Sequence, residues 1–186
     1  MEQDLKRAFY LDLKMAFPHE ATADQLEAFK QLTIFSVEQA PDRVFLLRGY
    51  AGTGKTSLIE ALTKILPKYG RKSVLLAPTG RAAKVMANYA RRPAFTIHKY
   101  IYQLQTDRRG AMLFSLRNNK SRNTLFIVDE ASMINDDRSQ WSGSLLADLL
   151  EFVASGHQCQ LLFVGDSAQL PPVHSEESPA PHADYL

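Results

Sequence analysis

Residues 47 to 58 read LRGYAGTGKTSL, and no other stretch constrains the fold as tightly. Gly49, Gly54, Lys55 and Thr56 satisfy the pattern G-x-x-x-x-G-K-[ST]. Ahead of them RVFLLR, Arg43 to Arg48, is an apolar run of strand length; behind them SLIEALTKIL sets Leu58, Ile59, Leu62, Ile65 and Leu66 at helical spacing. Strand, glycine-rich turn and helix in this order let successive backbone N–H groups converge on one anion, with the positive end of the helix dipole behind them. A triphosphate fits such a cradle. Its chemistry assigns Lys55 to the β- and γ-phosphates and the Thr56 hydroxyl to Mg²⁺. Gly49, Ala51, Gly52, Thr53, Gly54 and Ser57 complete the expected loop.

The rest of the chain alternates short apolar runs with amphipathic ones. Leu5, Phe9, Leu13 and Phe17 recur every four residues and predict a leading helix; TADQLEAFKQLTIFSVEQA predicts a second, with Thr22 as its N-cap. After the strand near Val44 to Leu47 and the helix from Lys55, SVLLAP, TLFIVDE and CQLLFVGD read as three further strands. TGRAAKVMANYA, TIHKYIYQL and SLLADLLEFVAS read as helices. QTDRRGAMLFSLRNNKSRN interrupts the rhythm and reads as a small hairpin, Gly110 to Leu116, within an insertion at 105–122. Strands alternating with helices predict an α/β fold: a parallel sheet covered on both faces, with ligand chemistry at the carboxyl ends of the strands.

Those strand ends carry the expected chemistry. TLFIVDE delivers Asp129 and Glu130 just past four apolar residues. The first acid suits Mg²⁺, the second an attacking water; the bland alternative is an acidic helix start. GDSAQLPP brings Gly165, Asp166 and Gln169 to the same edge, where a neutral amide can sense a γ-phosphate. Pro171 and Pro172 stiffen the exit.

A chain of 186 residues, 45% hydrophobic and 23% charged, suits one globular domain. Cys159, the single cysteine, lies inside an apolar run and reads as a small core residue. With no signal peptide and no apolar run near membrane-spanning length, a cytoplasmic location without membrane contact is the expectation. The net charge of +2 hides a segregation: Lys68 to Arg122 holds 13 Lys or Arg and one acid, Asp107, giving +12, while the remainder carries −10. One face that binds a phosphate backbone would produce this; a solvated basic surface would too.

GYAGTGKTS, APTGRAAKVM, TIHKY, VDEASMI and GDSAQLPPV, in this order, resemble motifs I, Ia, Ib, II and III of superfamily 1 DNA helicases, of the 5′→3′ RecD-like and Dda-like group. The match runs from Thr22 to Val173. The resemblance implies a RecA-like P-loop NTPase domain over residues 1–173, ATP with Mg²⁺, and single-stranded DNA crossing the top of the sheet. It implies that Lys55 and Thr56 hold phosphate and metal, that Asp129 holds the metal, that Glu130 is the catalytic base and that Gln169 meets the γ-phosphate. Pro78, Thr79, Gly80, Arg81, Thr96 and His98 match its DNA contacts, and Gln25 its adenine-reading glutamine. TADQ also fits a capping box in which Gln25 bonds back to Thr22, and one amide is expected to serve one of these tasks at a time. Phe95 and Tyr100 are further stacking candidates or core residues.

Helicases of this kind pair two such domains, the second bringing arginines to the γ-phosphate; residues 174–186 read as an irregular tail towards that absent partner domain. Two other readings stand beside the helicase motor. A nucleotide-gated DNA-binding module without useful turnover is one. Another P-loop NTPase is the second, although NKSR, Asn119 to Arg122, lacks the aspartate of a guanine-reading N-K-x-D.

Overall fold

The computed structural model describes residues 2–38, 43–106, 112–134 and 144–166. Two helices lead, α1 (Glu2–Ala16) and α2 (Ala23–Glu38). There follow β1 (Val44–Arg48), α3 (Lys55–Ile65), β2 (Lys72–Ala77), α4 (Gly80–Ala90), β3 (Ala94–Thr96) and α5 (Ile97–Ile101). The chain continues through β4 (Tyr102–Thr106), β5 (Met112–Leu116), β6 (Thr124–Val128), α6 (Leu145–Ala154) and β7 (Gln160–Gly165).

Five strands form one all-parallel sheet in the order β1-β7-β6-β2-β3. Every residue of β6 and β7 is buried, as a strand covered on both faces requires. Alternation divides their side chains between two cores. Leu75, Leu125, Ile127, Leu162 and Val164 pack with α1, α2, α3 and α4; Leu76, Phe126, Val128, Leu161 and Phe163 pack with α5 and α6. In register, Arg48 lies beside Gly165, Val128 beside Phe163 and Leu76, and Ala77 beside Thr96, so the carboxyl ends share one edge. β7 separates β1 from β6, and the loop after β1 therefore faces the acids after β6 across the end of β7.

Three local expectations need correction. The sheet has five strands rather than four: β3 is only three residues long and exists through its pairing with Leu75, Leu76 and Ala77. The helix expected over TIHKYIYQL ends at Ile101, because Tyr102 onward pairs with β5 as an antiparallel hairpin, Tyr102 opposite Leu116 and Leu104 opposite Phe114. The hairpin thus begins at Tyr102, ahead of the expected hairpin at Gly110 to Leu116 and of the insertion at 105–122, and Gly110 itself lies outside the described residues. Leu5 is 46% exposed; the leading helix buries Phe9 and Leu13 instead, and Phe17 is buried just past its end.

Aromatic packing ties α1 to the segment after α3, Phe9 on Tyr69 at 4.7 Å, and the end of α1 to α2, Phe17 on Phe29 at 5.2 Å. At the amino ends of the strands the last turn of α2 is closed from outside. Arg71 Nη1 donates to Ser36 O at 2.9 Å and Gln160 Nε2 to Phe35 O at 3.0 Å. Burial pushes the Arg71 guanidinium down to about 10. Cys159 is buried, as expected, and its thiol is pushed up by desolvation.

Candidate nucleotide-binding site

The turn after β1 is anchored at both ends. Gly49 N–H donates to Gly165 O at 3.3 Å, tying the loop to β7, and Leu58 N–H donates to Gly54 O at 3.0 Å, starting α3. Between them Thr53 folds back on Tyr50 O through its N–H at 3.3 Å and its Oγ1 at 2.8 Å. Gly54 has φ 85°, in the left-handed region, and a Cβ there would sit 2.7 Å from Gln25 Nε2. Backbone conformation and lack of space both demand glycine. Because Gly54 is also the N-cap of α3, no side chain caps that helix. Lys55 Nζ donates to Gly49 O and, at 2.8 Å, to Tyr50 O, which places the ammonium inside the curl of the loop.

Opposite, Asp129 leaves β6 with its N–H on Leu76 O at 3.0 Å. Its two oxygens are both engaged: Oδ1 accepts from Glu130 N–H at 2.9 Å and Oδ2 from the Tyr89 hydroxyl at 2.5 Å. Burial, reinforced by Asp129 and Glu130, drives the Tyr89 hydroxyl far above its ordinary value, so at neutral pH it is the proton donor in that bond. Glu130 has φ 56°, a left-handed conformation that costs a non-glycine residue about 1 kcal/mol or more and is found where a side chain must be aimed. Thr56, Asp129, Glu130, Gly165 and Asp166 share the wall of one cleft of about 510 Å³ with the loop. Among the described residues no cluster of three or more His, Cys, Asp or Glu could hold a metal by itself. Thr56 and Asp129 fit Mg²⁺ well on those terms, since that ion takes few protein oxygens and keeps phosphate and water in its shell. Gln169 lies outside the described residues.

The connection between α1 and α2, with the first turn of α2, forms the third wall. Phe17, His19, Glu20, Thr22 and Gln25 line the cleft, and of these the sequence reading singled out only Gln25 as a ligand contact and Thr22 as a cap. Gln25 does more than one thing. Its Oε1 accepts from Thr22 N–H at 2.9 Å, while its own N–H donates to Thr22 Oγ1 at 3.3 Å, closing the capping box. At the same time its Nε2 donates to Thr53 O at 2.9 Å and braces the loop. Of the two tasks expected for Gln25, the structure shows the capping box, and the amide's other end points at Thr53.

The residues matched to DNA contacts lie along the carboxyl edge. Pro78 is half-buried, and Thr79, Gly80 and Arg81 are exposed at the start of α4. Thr79 Oγ1 accepts from Ala82 N–H and Thr96 Oγ1 from Lys99 N–H, each at 3.2 Å, so both hydroxyls cap helices and keep a proton to donate. His98 is half-buried, and desolvation lowers its pKa, so it is neutral at pH 7. Tyr100 is half-buried and packs on Phe126 and Phe152 of the core; Phe95, its neighbour at 5.6 Å, is 37% exposed.

Residues 20–180 match the family model described as AAA domain. The chain belongs to the AAA-domain family. Within it, the ordered motifs are those of a superfamily 1 helicase motor domain of the RecD-like group. The chain is 34% identical over 135 residues to the ATP-dependent RecD2 DNA helicase of Deinococcus radiodurans, covering 72% of this chain and 17% of that protein. It is 28% identical over 137 residues to the ATP-dependent DNA helicase dda of Enterobacteria phage T4, covering 72% and 29%. The chain therefore spans less than a third of either relative. In fold it is similar to a Pif1 helicase from Bacteroides, with a TM-score of 0.55, 22% identity and coverage of 85% of this chain and 35% of that one. The Pif1 helicase from Candida albicans gives 0.50, 23%, 83% and 34%.

Tyr89, like Phe17, His19 and Glu20 in the cleft wall, is a contributor to this AAA domain that sequence reasoning missed. It sits in the last turn of α4, 40 residues before Asp129, and its spacing marks it as one more half-buried aromatic of an amphipathic helix. Only the packing of α4 on β2 and β3, with β6 beside β2, brings its hydroxyl to a carboxylate. No helix among the described residues is long and apolar enough to cross a membrane.

Proposed function

We propose that this chain is the ATP-binding motor domain of an ATP-dependent DNA helicase, one that couples ATP hydrolysis to 5′→3′ movement along single-stranded DNA. The observation that carries this reading is the pairing, across one cleft, of a helix N-terminus left without a side-chain cap with two adjacent carboxylates. The backbone N–H groups from Ala51 to Ser57 receive the phosphates, and Lys55 exchanges its two carbonyl partners for β- and γ-oxygens. Thr56 and Asp129 hold Mg²⁺, which when bound neutralises charge on the phosphate oxygens. Glu130 orients a water and takes its proton as the water oxygen bonds to the γ-phosphorus and the bond to the β–γ bridging oxygen breaks. Gln169 is assigned to the γ-phosphate. Gln25 is assigned to the adenine through the amide that here braces Thr53.

Among the described residues Lys55 is the one Lys or Arg lining the cleft, against Glu20, Asp129, Glu130 and Asp166. Charge on the transferring phosphoryl group needs more cation than that. We therefore assign a second motor domain, closing the cleft with arginines, to the working helicase; an arginine supplied this way contributes on the order of 10³ to 10⁵ in rate. Pro78, Thr79, Gly80, Arg81, Thr96 and His98 form the track for single-stranded DNA. Calorimetry with Mg·ATP and a DNA-stimulated hydrolysis assay test the reading together. Glu130→Gln should retain nucleotide and lose turnover, in a chain carrying the closing domain; hydrolysis unaffected by that change would remove Glu130 as the base.

A further inference from the structure

The cations between Lys68 and Arg122 are one block in sequence but not in space. Arg81 and Lys84, in the first half of α4, serve the carboxyl edge where DNA is proposed to run. Lys72 begins β2, and Arg117, Lys120 and Arg122 lie on the segment that leads into β6, so these four gather at the amino edge. The two edges are about 20 Å apart, the length of a six-residue strand. The expectation of a single basic face is thereby corrected.

These four exposed cations line a separate cleft of about 600 Å³, with Tyr100 and Phe152 also in its wall and no Asp or Glu among its lining residues. None of the four has a carboxylate partner among the described residues, whereas Lys6, Lys30, Arg43, Lys64 and Lys68 all do. The wall is also built firmly. Arg117 Nε donates to Tyr102 O at 2.7 Å, leaving its terminal nitrogens without a partner among the described residues. Asn119 clamps the segment, donating to Phe152 O and accepting from Ser121 N–H, each at 2.9 Å. Lys72 N–H is fixed on Asn123 O at 2.9 Å. Four like charges held together without counter-charges repel one another, and a linear polyanion relieves that repulsion without needing a shaped pocket.

We propose that this cleft is a second nucleic-acid backbone site, holding phosphates of a segment outside the motor track, such as the other strand of a fork. The choice of nucleic acid over an acidic protein rests on the helicase reading above. Lys72, Arg117, Lys120 and Arg122 contact phosphates, and the site carries no sequence preference.

The experiment uses a short labelled single-stranded oligonucleotide, fluorescence anisotropy against salt, and acetylation of lysines read by mass spectrometry. With the amino-edge site filled, DNA shields Lys72 and Lys120 from acetylation, including in the Arg81→Gln/Lys84→Gln variant. The triple variant Lys72→Gln/Lys120→Gln/Arg122→Gln should halve the bound stoichiometry, and the log–log salt dependence of a strand spanning both edges should flatten by about 2, three contacts at roughly 0.7 each. Unchanged reactivity of both lysines while DNA is bound would overturn the proposal and leave the motor track standing. Absence of any DNA binding would overturn both, and shielding by polyglutamate but not by DNA would transfer the cleft to an acidic protein. Should the triple variant not fold, the shielding in the unaltered chain decides alone.

Discussion

The N-terminus of α3 and those of α4, α5 and α6 solve the same problem in opposite ways. Thr79, Thr96 and Ser144 each lend a hydroxyl oxygen to the N–H three residues on, at 3.2 Å in every case. α3 begins at Gly54, which has no side chain to lend. Every helix start leaves backbone donors that need an acceptor. Three of these four helices satisfy one of theirs from within the chain, and the fourth is shaped by Gly54 and Lys55 so that an anion can do so. An open helix end thus marks a ligand, and a capped one marks structure, even where, as at Thr79 and Thr96, a resemblance assigns a ligand too.

That contrast is sharpened first by Lys55→Ala. It should weaken Mg·ATP binding by about 2 kcal/mol or more, roughly thirtyfold, with little change in the melting temperature of the nucleotide-free chain. Equal binding by the variant in calorimetry would make the open end of α3 an ordinary turn.

Tyr89→Phe comes next and probes the facing wall. Losing the donor on Asp129 Oδ2 should lower the apparent Mg²⁺ affinity, measured with ATP present, on the order of tenfold, while metal-free ATP binding stays as it was. An unchanged Mg²⁺ dependence would reduce Tyr89 to packing.

Thr79→Ala addresses the capped ends. It should destabilise the fold by about 1 kcal/mol in urea melts. If Thr79 also touches DNA, the same change weakens DNA binding beyond what Thr79→Ser does, because serine keeps both the cap and the donor.

The smallest effect lies far from either helix start. The Tyr69 hydroxyl, desolvated and donating to Asp12 Oδ2 at 3.1 Å, is pushed up from 10.0 to about 12. A raised acid favours the folded state while protonated, so this contribution is whole below pH 10 and is lost as pH climbs towards 12. Tyr69→Phe should flatten that part of the alkaline melting profile.

Much of this site was legible along the chain because its parts are local. A strand of apolar residues, a glycine turn and a helix are neighbours in sequence, and the same holds for β6 with Asp129 and Glu130 at its exit. The near-continuous apolar runs of β6 and β7 required helices on both faces, and the structure has them. β3 was illegible because three residues carry no periodicity and pair only where β2 waits for them. The helix over TIHKYIYQL was overextended because Tyr102 and Leu104 keep a helical rhythm whose stop comes from β5.

The sequence by itself determined the open phosphate loop, the carboxylates that face it and the order of elements that brings them to one sheet edge, since each follows from side-chain type and spacing over a few residues. Only the tertiary structure decided what depends on distant segments meeting. It set the leading helices against the loop, so that Gln25 joins Thr22 to Thr53; it brought Tyr89 to Asp129; and it divided the basic block between the two edges of the sheet. For the last two the physical reason is the parallel crossover, which carries residues close in sequence to opposite ends of a strand and residues far apart in sequence to the same end; for the first it is the burial of the apolar faces of α1 and α2 against α3 and the sheet.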